Sequence, residues 1–285
     1  MVQAEVAAAD FFEVPEGSTT LLDTIEKNED NQFRLPISEK IQLTHDTFKI
    51  VLKFPNEEWL MGLPLAYHMT FFAPPAEEGK PLVGRKYSPV SPMTQRGSVE
   101  FVIKCYPQCD EFPNGGYMGN YLRTLNVGDT ILMEGPVGRL TYKGNATFSV
   151  KKQPRRITKL GLIAGGSGIT PIFNIMDAVH RGNDQSVDIK MIYSNKTAGD
   201  ILLKEELAKI NAEASNITVT HTITRDAEVP ADYLRGRVSI DMLQELNFPA
   251  PSEETLIYSC GPKAFNDAIS AFLTAAGYSK DMIYP

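Results

Sequence analysis

A glycine-rich turn, Gly-Gly-Ser-Gly-Ile-Thr-Pro at 165–171, has the residue types in this sequence that best suit a bound ligand. It joins an apolar run, 160–164, to an amphipathic segment, 172–180. Glycines let the backbone approach an anion closely because no Cβ intervenes, and the start of a helix offers unpaired N–H groups to a diphosphate. Thr170 is a suitable cap for that helix, and Pro171 suits its first position. The pattern predicts either a nucleotide-diphosphate site or a structural strand-to-helix turn.

A second motif, Arg-Lys-Tyr-Ser-Pro-Val-Ser at 85–91, places an arginine two residues before an aromatic. In an extended strand these two side chains share one face. The guanidinium of Arg85 can then neutralise a phosphate while Tyr87 stacks on a flat ring. The alternative is an edge strand with an ordinary surface arginine, which Pro89 also fits.

A further glycine turn lies within 112–122, before a short helix predicted over 119–125. It is either a second anion site or a hairpin loop. The turn Gly-Pro-Val-Gly at 135–138 closes a strand pair and is expected to be structural.

The pattern of strand-like and helix-like runs along the chain predicts two domains that would position these motifs. Residues 33–150 contain short β-like runs separated by turns, which favours an antiparallel barrel or sandwich. Residues 159–285 alternate strand-like and helix-like runs, which favours a doubly wound parallel sheet. Ligands bind at the carboxyl ends of strands in such sheets, where the first glycine turn and Ser-Cys-Gly-Pro at 259–262 would both fall. An acidic N-terminal arm, 1–32, and a linker, 151–158, complete the predicted organisation.

Composition limits the functional classes. A formal net charge of −7 argues against generic nucleic-acid binding. The sequence contains no run of 18 or more apolar residues, the length that a membrane-spanning helix requires. Three cysteines are a sparse, odd set that favours a reducing compartment over a disulfide framework. We find no Cys/His spacing that predicts a metal site.

Taken in order, the motifs resemble the NADH-cytochrome b5 reductase family of ferredoxin-reductase-like flavoproteins, from about residue 33 to 284. The resemblance is carried by Arg-x-Tyr-Ser-Pro, Gly-Pro-x-Gly, Gly-Gly-Ser-Gly-Ile-Thr-Pro and Cys-Gly-Pro. It implies an FAD-binding barrel followed by an NAD(P)-binding domain, with the flavin at their junction. It further implies that NADH gives a hydride to FAD, and that single electrons pass to a haem protein, expected to be cytochrome b5.

The resemblance also implies roles for individual residues. Arg85 is expected at the FAD pyrophosphate and Tyr87 against the flavin, with Ser88 hydrogen-bonded to the ring nitrogen that receives the hydride. His45 matches a histidine proposed to move protons, although a structural role is the alternative. The four positions assigned to catalysis are Ser88, Lys104, Cys260 and His45. The other positions assigned to cofactor binding are Pro89, Val102, Tyr106, Phe112, Gly116, Tyr117, Met118, Gly119, Gly166, Ser167, Thr170, Pro171, Thr224, Arg225, Gly261 and Pro262.

The sequence departs from the family pattern at several of these places. Thr224-Arg225 stands where NADH-selective members have Asp-Arg, which predicts acceptance of NADPH as well as NADH. Gly119 stands where the family has serine, so one hydroxyl contact to the FAD diphosphate is expected to be missing. Lys263 and Phe265 replace a proline and a methionine after Cys-Gly-Pro.

An acidic acceptor requires a basic docking surface on this acidic chain. The candidate basic patch, for which a solvated linker is the alternative, consists of Lys151, Lys152, Arg155, Arg156 and Lys159. Other acceptors to consider are the haem of a nitrate-reductase-like system and quinones. A non-enzymatic nucleotide- or redox-sensing protein is a third, more distant hypothesis. The expected form is a cytosolic monomer, or a membrane-associated one in an isoform that carries an anchor.

Overall fold

The computed structural model describes residues 11–108, 110 and 113–285, which fold into two compact units. One unit comprises residues 13–139, and the other comprises 140–285 together with the described residues that precede 13. Within the described residues, none of the helices combines the length and hydrophobicity that crossing a bilayer requires.

The 13–139 unit is an antiparallel sheet of six strands in the order β4-β3-β6-β1-β2-β5. Beyond the end of β4, Val90 N donates to Glu100 O at 2.8 Å, and Glu100 N donates to Ser91 Oγ at 3.1 Å. These bonds join the segment that follows β4 to the other edge strand, β5, as expected for a barrel. The elements are α1 (Leu21–Thr24), β1 (Gln32–Thr44), β2 (Thr47–Lys53), β3 (His68–Ala73), β4 (Val83–Tyr87), β5 (Ser98–Lys104), α2 (Tyr117–Thr124) and β6 (Thr130–Val137).

Alternation along the strands builds the core of this unit. On β3 the inward positions Met69, Phe71 and Ala73 are fully buried, and their neighbours on the strand are half-buried. The rings of Phe71 and Phe101 meet edge to face with centroids 4.8 Å apart. Strand alternation of this kind is the local signal that correctly predicted the barrel.

The predicted N-terminal arm is wrong for part of its length, because α1 belongs to the barrel core. Thr20 caps α1 by accepting from Asp23 N, and Leu21 is fully buried among the core side chains. The mostly polar residues around α1 hid this contribution. Residues 1–10 of the arm lie outside the described residues.

The second unit contains a parallel sheet of six strands in the order β13-β12-β11-β10-β14-β15, and a small antiparallel sheet β7-β8-β9. The alternation of strand and helix predicted after residue 159 is confirmed. Its elements are β7 (Leu140–Tyr142), β8 (Thr147–Val150), β9 (Gln153–Arg156), β10 (Lys159–Gly165), α3 (Ile169–Arg181), β11 (Asp188–Asn195), α4 (Lys204–Glu213), β12 (Ile217–Ile223), β13 (Leu234–Arg235), α5 (Ile240–Glu245), β14 (Thr255–Cys260), α6 (Lys263–Ala275) and β15 (Ile283–Tyr284).

Two local predictions differ from this structure. Gln153–Arg156, expected in a linker, forms β9, and Lys151-Lys152 make the turn that joins it to β8. Helix α3 begins at Ile169 with Gly168 as its N-cap, so Thr170 does not cap it and Pro171 is not its first residue. Instead, Thr170 Oγ1 donates to Ser167 O at 3.3 Å. The glycine turn tightens into a 3-10 turn, Gly166–Gly168, and this starts the helix earlier than the capping pattern predicts.

Candidate functional site

In the 13–139 unit, β4 presents a cation and an aromatic ring side by side. Strand register sets Phe71 opposite Arg85 and Met69 opposite Tyr87, so both β4 side chains belong to the inward face. The Tyr87 ring packs on Phe71 with centroids 4.9 Å apart, whereas Arg85 is exposed. Burial raises the pKa of Tyr87, so its hydroxyl stays protonated at physiological pH. Ser88 and Pro89, which follow directly, are buried.

A glycine-lined helix start lies against the residues that follow β5. Gly116 is the N-cap of α2 and makes no side-chain cap; its N–H donates to Tyr106 O at 2.8 Å. A Cβ on Gly115, whose φ is +59°, would lie 3.0 Å from Tyr106 O. A Cβ on Gly119 would lie 3.0 Å from Cys105 Cα. Glycine is therefore what lets the amino end of α2 lie this close to the chain after β5.

The amino end of α2 fits a diphosphate. The first N–H groups of a helix have no partner within it, and among the described residues the N-cap, Gly116, brings no side chain to cap them. Tyr117 does not cap the helix, because its hydroxyl donates to Pro74 O at 2.8 Å. Met118 is buried beneath the helix, and the predicted contact residue Phe112 lies outside the described residues. With Arg85, this unit thus offers a cation, an aromatic ring and a helix start, groups that suit the diphosphate and the flat ring of FAD.

Lys104, at the end of β5, lies in a buried ion pair. Its ammonium is 3.0 Å from Asp46 Oδ2, and the two side chains are only 12% and 8% exposed. The hydroxyls of Thr44 and Thr47 both donate to Asp46 Oδ1, at 3.0 Å each. Asp46 therefore holds Lys104 in place, and the sequence reasoning missed this residue although it adjoins His45. The side chain of His45 is 75% exposed, with Nε2 3.5 Å from Asp46 Oδ2.

In the second unit, the glycine turn packs on the chain that follows β14. Register pairs Ala164 of β10 with Cys260, so the two predicted nucleotide motifs lie at neighbouring carboxyl ends. A Cβ on Gly168 would overlap the carbonyl of Cys260, whereas the space beside Gly166 is open. Burial raises the pKa of the Cys260 thiol to about 11, so the thiol is neutral at physiological pH. Cys260 is thus suited to line a site and unsuited to act as a nucleophile.

This edge of the sheet also fits a nucleotide. Both amide atoms of Asn195, at the end of β11, are buried without a partner, and so is Ser259 Oγ on β14. Buried polar groups without partners are rare, and they are expected where a ligand supplies the partner. The ring of Phe265 lies against Gly165 and Gly261, so the replacement of methionine fills the space beside both turns.

Comparisons with known proteins assign both units to families of cofactor-binding domains. Residues 34–142 match the oxidoreductase FAD-binding domain family, and residues 162–271 match the oxidoreductase NAD-binding domain family. NADH-cytochrome b5 reductase 2 of Rattus norvegicus is 34% identical over 263 residues, covering 89% of this chain and 94% of that protein.

The chain belongs to the NADH-cytochrome b5 reductase family. Another member, NADH-cytochrome b5 reductase 1 of Homo sapiens, is 33% identical and covers 92% of this chain and 86% of that protein. The cytochrome b5 reductase domain of Ulva prolifera nitrate reductase superposes with a TM-score of 0.82 at 27% identity, over 90% of this chain and 98% of that domain. The chain is thus an NADH-dependent FAD oxidoreductase with the two-domain fold of its family.

A position not anticipated from sequence supports the glycine turn. Tyr193, on β11, is fully buried, and its hydroxyl donates to Gly166 O at 2.9 Å. The same hydroxyl accepts from Leu202 N at 3.3 Å. Tyr193 therefore fixes the carbonyl of a residue with a φ of +53° in the nucleotide turn of this reductase.

Tyr193→Phe is expected to raise the KM for NADH roughly three- to tenfold, because it removes the hydrogen bond to Gly166 O, worth about 1 kcal/mol; the longer bond from Leu202 N is lost as well. The kcat should change little, because the bond supports binding of donor and transition state alike. The matched control is Tyr278→Phe, which removes another tyrosine hydroxyl that donates to a backbone carbonyl, Pro249 O, at 2.6 Å. Steady-state kinetics measure the KM for NADH in both variants. Equal KM values in the two would contradict a role of Tyr193 in supporting the glycine turn.

The positions predicted to select the donor lie just after β11 and β12. Thr224 and Arg225 are exposed, and Arg225 N donates to Lys196 O at 2.8 Å, which brings two cationic residues to adjacent loops. Asp226, the nearest carboxylate in sequence, accepts from Ala198 N at 2.7 Å. The acid at this edge therefore holds a turn, while Thr224 brings a neutral hydroxyl.

Two arginines of the predicted basic patch have partners in the structure. Arg156 pairs with Glu254 at 3.4 Å, and Arg155 donates to the carbonyls of Asp281 and Glu253, the latter at 3.4 Å. Lys151 and Lys152 are exposed at the tip of the β8–β9 hairpin, with φ values of +52° and +68°. Arg156, despite its pair with Glu254, and Lys159 are exposed as well, so the exposed positive charge extends from this turn to the start of β10.

Proposed function

We propose that this enzyme transfers electrons from NADH to a haem protein, with cytochrome b5 as the acceptor. FAD, when bound, supplies the chemistry by taking two electrons as a hydride and releasing them singly. The observation that carries the proposal is the pair of nucleotide cradles, one at α2 beside Arg85 and one at the β10–α3 turn. The names of the relatives, cytochrome b5 reductases, point to the acceptor.

In the 13–139 unit, each residue has a proposed task. Arg85 and the amino end of α2 neutralise the FAD diphosphate, and the neutral Tyr87 ring lies against the flavin. The buried Ser88 hydroxyl donates to the flavin nitrogen that receives the hydride. Lys104, held by Asp46, keeps a fixed positive charge near the reaction. The residues proposed to complete this lining are Pro89, Val102, Tyr106, Gly116, Tyr117, Met118 and Gly119.

In the second unit, the glycine turn and the residues after β14 bind the donor. The N–H groups at the start of α3 meet the NADH diphosphate, and Cys260, as a neutral thiol, lines the nicotinamide side and helps to exclude water. Orientation of donor and acceptor is the main catalytic contribution that these residues make. The other positions proposed to contact the nucleotide are Gly166, Ser167, Thr170, Pro171, Gly261, Pro262, Thr224 and Arg225.

His45 is proposed to exchange protons with solvent as electrons leave one at a time. Its ring is largely exposed and near Asp46, so a proton can reach it from water without a relay. The Lys151-Lys152 turn is the proposed contact for an acidic acceptor. A cytosolic monomer remains our prediction for the working form.

A second acceptor is favoured by one comparison. The nitrate reductase of Volvox carteri is 30% identical over 261 residues, which cover 90% of this chain but only 30% of that protein. The matched part is about a third of a larger enzyme, so we propose a haem domain carried by a separate chain as the runner-up acceptor.

Colour is the first test of this proposal. The purified protein should absorb near ~450 nm, and NADH should bleach that band under anaerobic conditions. Stopped-flow mixing with cytochrome b5, ferricyanide and a quinone then ranks the acceptors. A colourless protein that FAD does not reconstitute would contradict the activity, and fast reduction of ferricyanide without reduction of cytochrome b5 would contradict the acceptor.

A further inference from the structure

Lys40, on β1, binds the carboxyl end of α2, the helix whose amino end is proposed above to hold the FAD diphosphate. Its ammonium donates to Leu122 O at 3.1 Å, to Arg123 O at 2.7 Å and to Leu125 O at 2.6 Å. It also lies 5.0 Å from the centroid of the Phe48 ring. One side chain thus satisfies three carbonyls that a helix end leaves without partners.

Helix α2 depends on such external contacts. It has only eight residues, and isolated helices of that length do not persist in water. At its carboxyl end, Thr124 Oγ1 satisfies Tyr121 O at 2.7 Å, and Lys40 satisfies the carbonyls that follow. A cation at this end also interacts favourably with the helix dipole.

The amino end of α2 is held by close packing and not by a cap. Gly115 and Gly119 let it approach Tyr106 and Cys105, and Tyr117 reaches Pro74. Tilting or fraying at the carboxyl end would therefore move the N–H groups proposed to face the diphosphate, because the N-cap Gly116 has no side chain to fix them and the described residues supply no other cap.

We propose that Lys40 is a positioning residue for FAD: by binding the carboxyl end of α2, it orients the uncapped amino end that holds the diphosphate. The inference rests on the proposed function, in which α2 contacts FAD. Lys40 binds the end of α2 opposite the proposed diphosphate site. Its removal should therefore weaken FAD retention through α2, while the NADH turn in the other unit stays unchanged.

The test uses the whole chain as purified with FAD, with Lys40→Met as the variant. Hydrogen exchange of amides in 117–125 should become roughly tenfold faster or more, because the helix opens locally. Release of FAD on dilution, followed by the gain in flavin fluorescence, should accelerate by a similar factor. Lys40→Arg, which keeps several donors and the charge, should restore most of both. If Lys40→Met does not fold, Lys40→Gln replaces it in both measurements, with the same expected changes in exchange and in FAD release.

The matched control is Lys49→Met on the neighbouring strand β2. Lys49 pairs with Glu100 at 3.3 Å and is 30% exposed, so it tests loss of a half-exposed lysine from the same sheet. Normal exchange in 117–125 and normal FAD retention in Lys40→Met would overturn the inference. Equal changes in Lys49→Met would overturn it as well. A wild-type protein without FAD would instead contradict the proposed function, so the two failures are distinguishable.

Discussion

Gly168→Ala is expected to reduce kcat/KM for NADH about 100-fold or more, a loss of about 2.7 kcal/mol in transition-state stabilisation. Gly168 has φ −64° and ψ −6°, which alanine adopts readily, so the effect is steric alone. The new Cβ would overlap the carbonyl of Cys260 and lie 2.8 Å from Gly261 N. Both are backbone atoms of the opposite turn, so they cannot swing aside as a flexible side chain would.

The comparison variant is Gly166→Ala, in the same turn. Its Cβ would meet nothing within 4 Å, but its φ of +53° disfavours alanine by about 1 kcal/mol. A several-fold loss is therefore expected there, clearly smaller than at Gly168. FAD content, measured from the visible spectrum, should stay at the wild-type level in both variants. Wild-type activity in Gly168→Ala would mean that the two turns separate without cost, contrary to the contact described.

Features predicted correctly from sequence are those that are encoded locally. The glycine turn at 165–168, the strand alternation of β3 and β5, and the helix–strand alternation after 159 each occupy a few consecutive residues. Even the start of α3 was misplaced only because Gly168, as the N-cap, competes with Thr170 for the helix start. Local patterns fix the type of an element better than they fix its ends.

Supporting contacts could not be predicted because they join residues distant in sequence. Tyr193 holds Gly166 across 27 positions, and Lys40 reaches Leu125 across 85. Neither residue belongs to a motif, and a lone tyrosine or lysine carries no signal of its partner. Asp46 was missed for the same reason: it adjoins His45, but its carboxylate binds Lys104, which is distant in sequence.

The wild-type enzyme is expected to use NADPH with a kcat/KM within roughly tenfold of that for NADH. Lys196 and Arg225 lie on adjacent loops where the 2′-phosphate of NADPH would lie, and Thr224 brings no negative charge to repel it. The carboxylate of Asp226 is held by Ala198 N, which keeps it hydrogen-bonded to the turn at 197–200.

Thr224→Asp should therefore shift the preference toward NADH about 100-fold, or about 2.7 kcal/mol. The loss should fall on NADPH, because a carboxylate repels the 2′-phosphate yet accepts the ribose hydroxyls of NADH. Thr224→Asn has nearly the same shape without the charge, so it should leave the preference within a few-fold of wild type. Arg225→Gln should weaken NADPH more than NADH. Steady-state kinetics with NADH and with NADPH test these predictions. A wild-type preference for NADH above roughly a thousandfold (~4 kcal/mol) would exclude this role for Thr224. Equal shifts in the aspartate and asparagine variants would show that shape, and not charge, selects the donor.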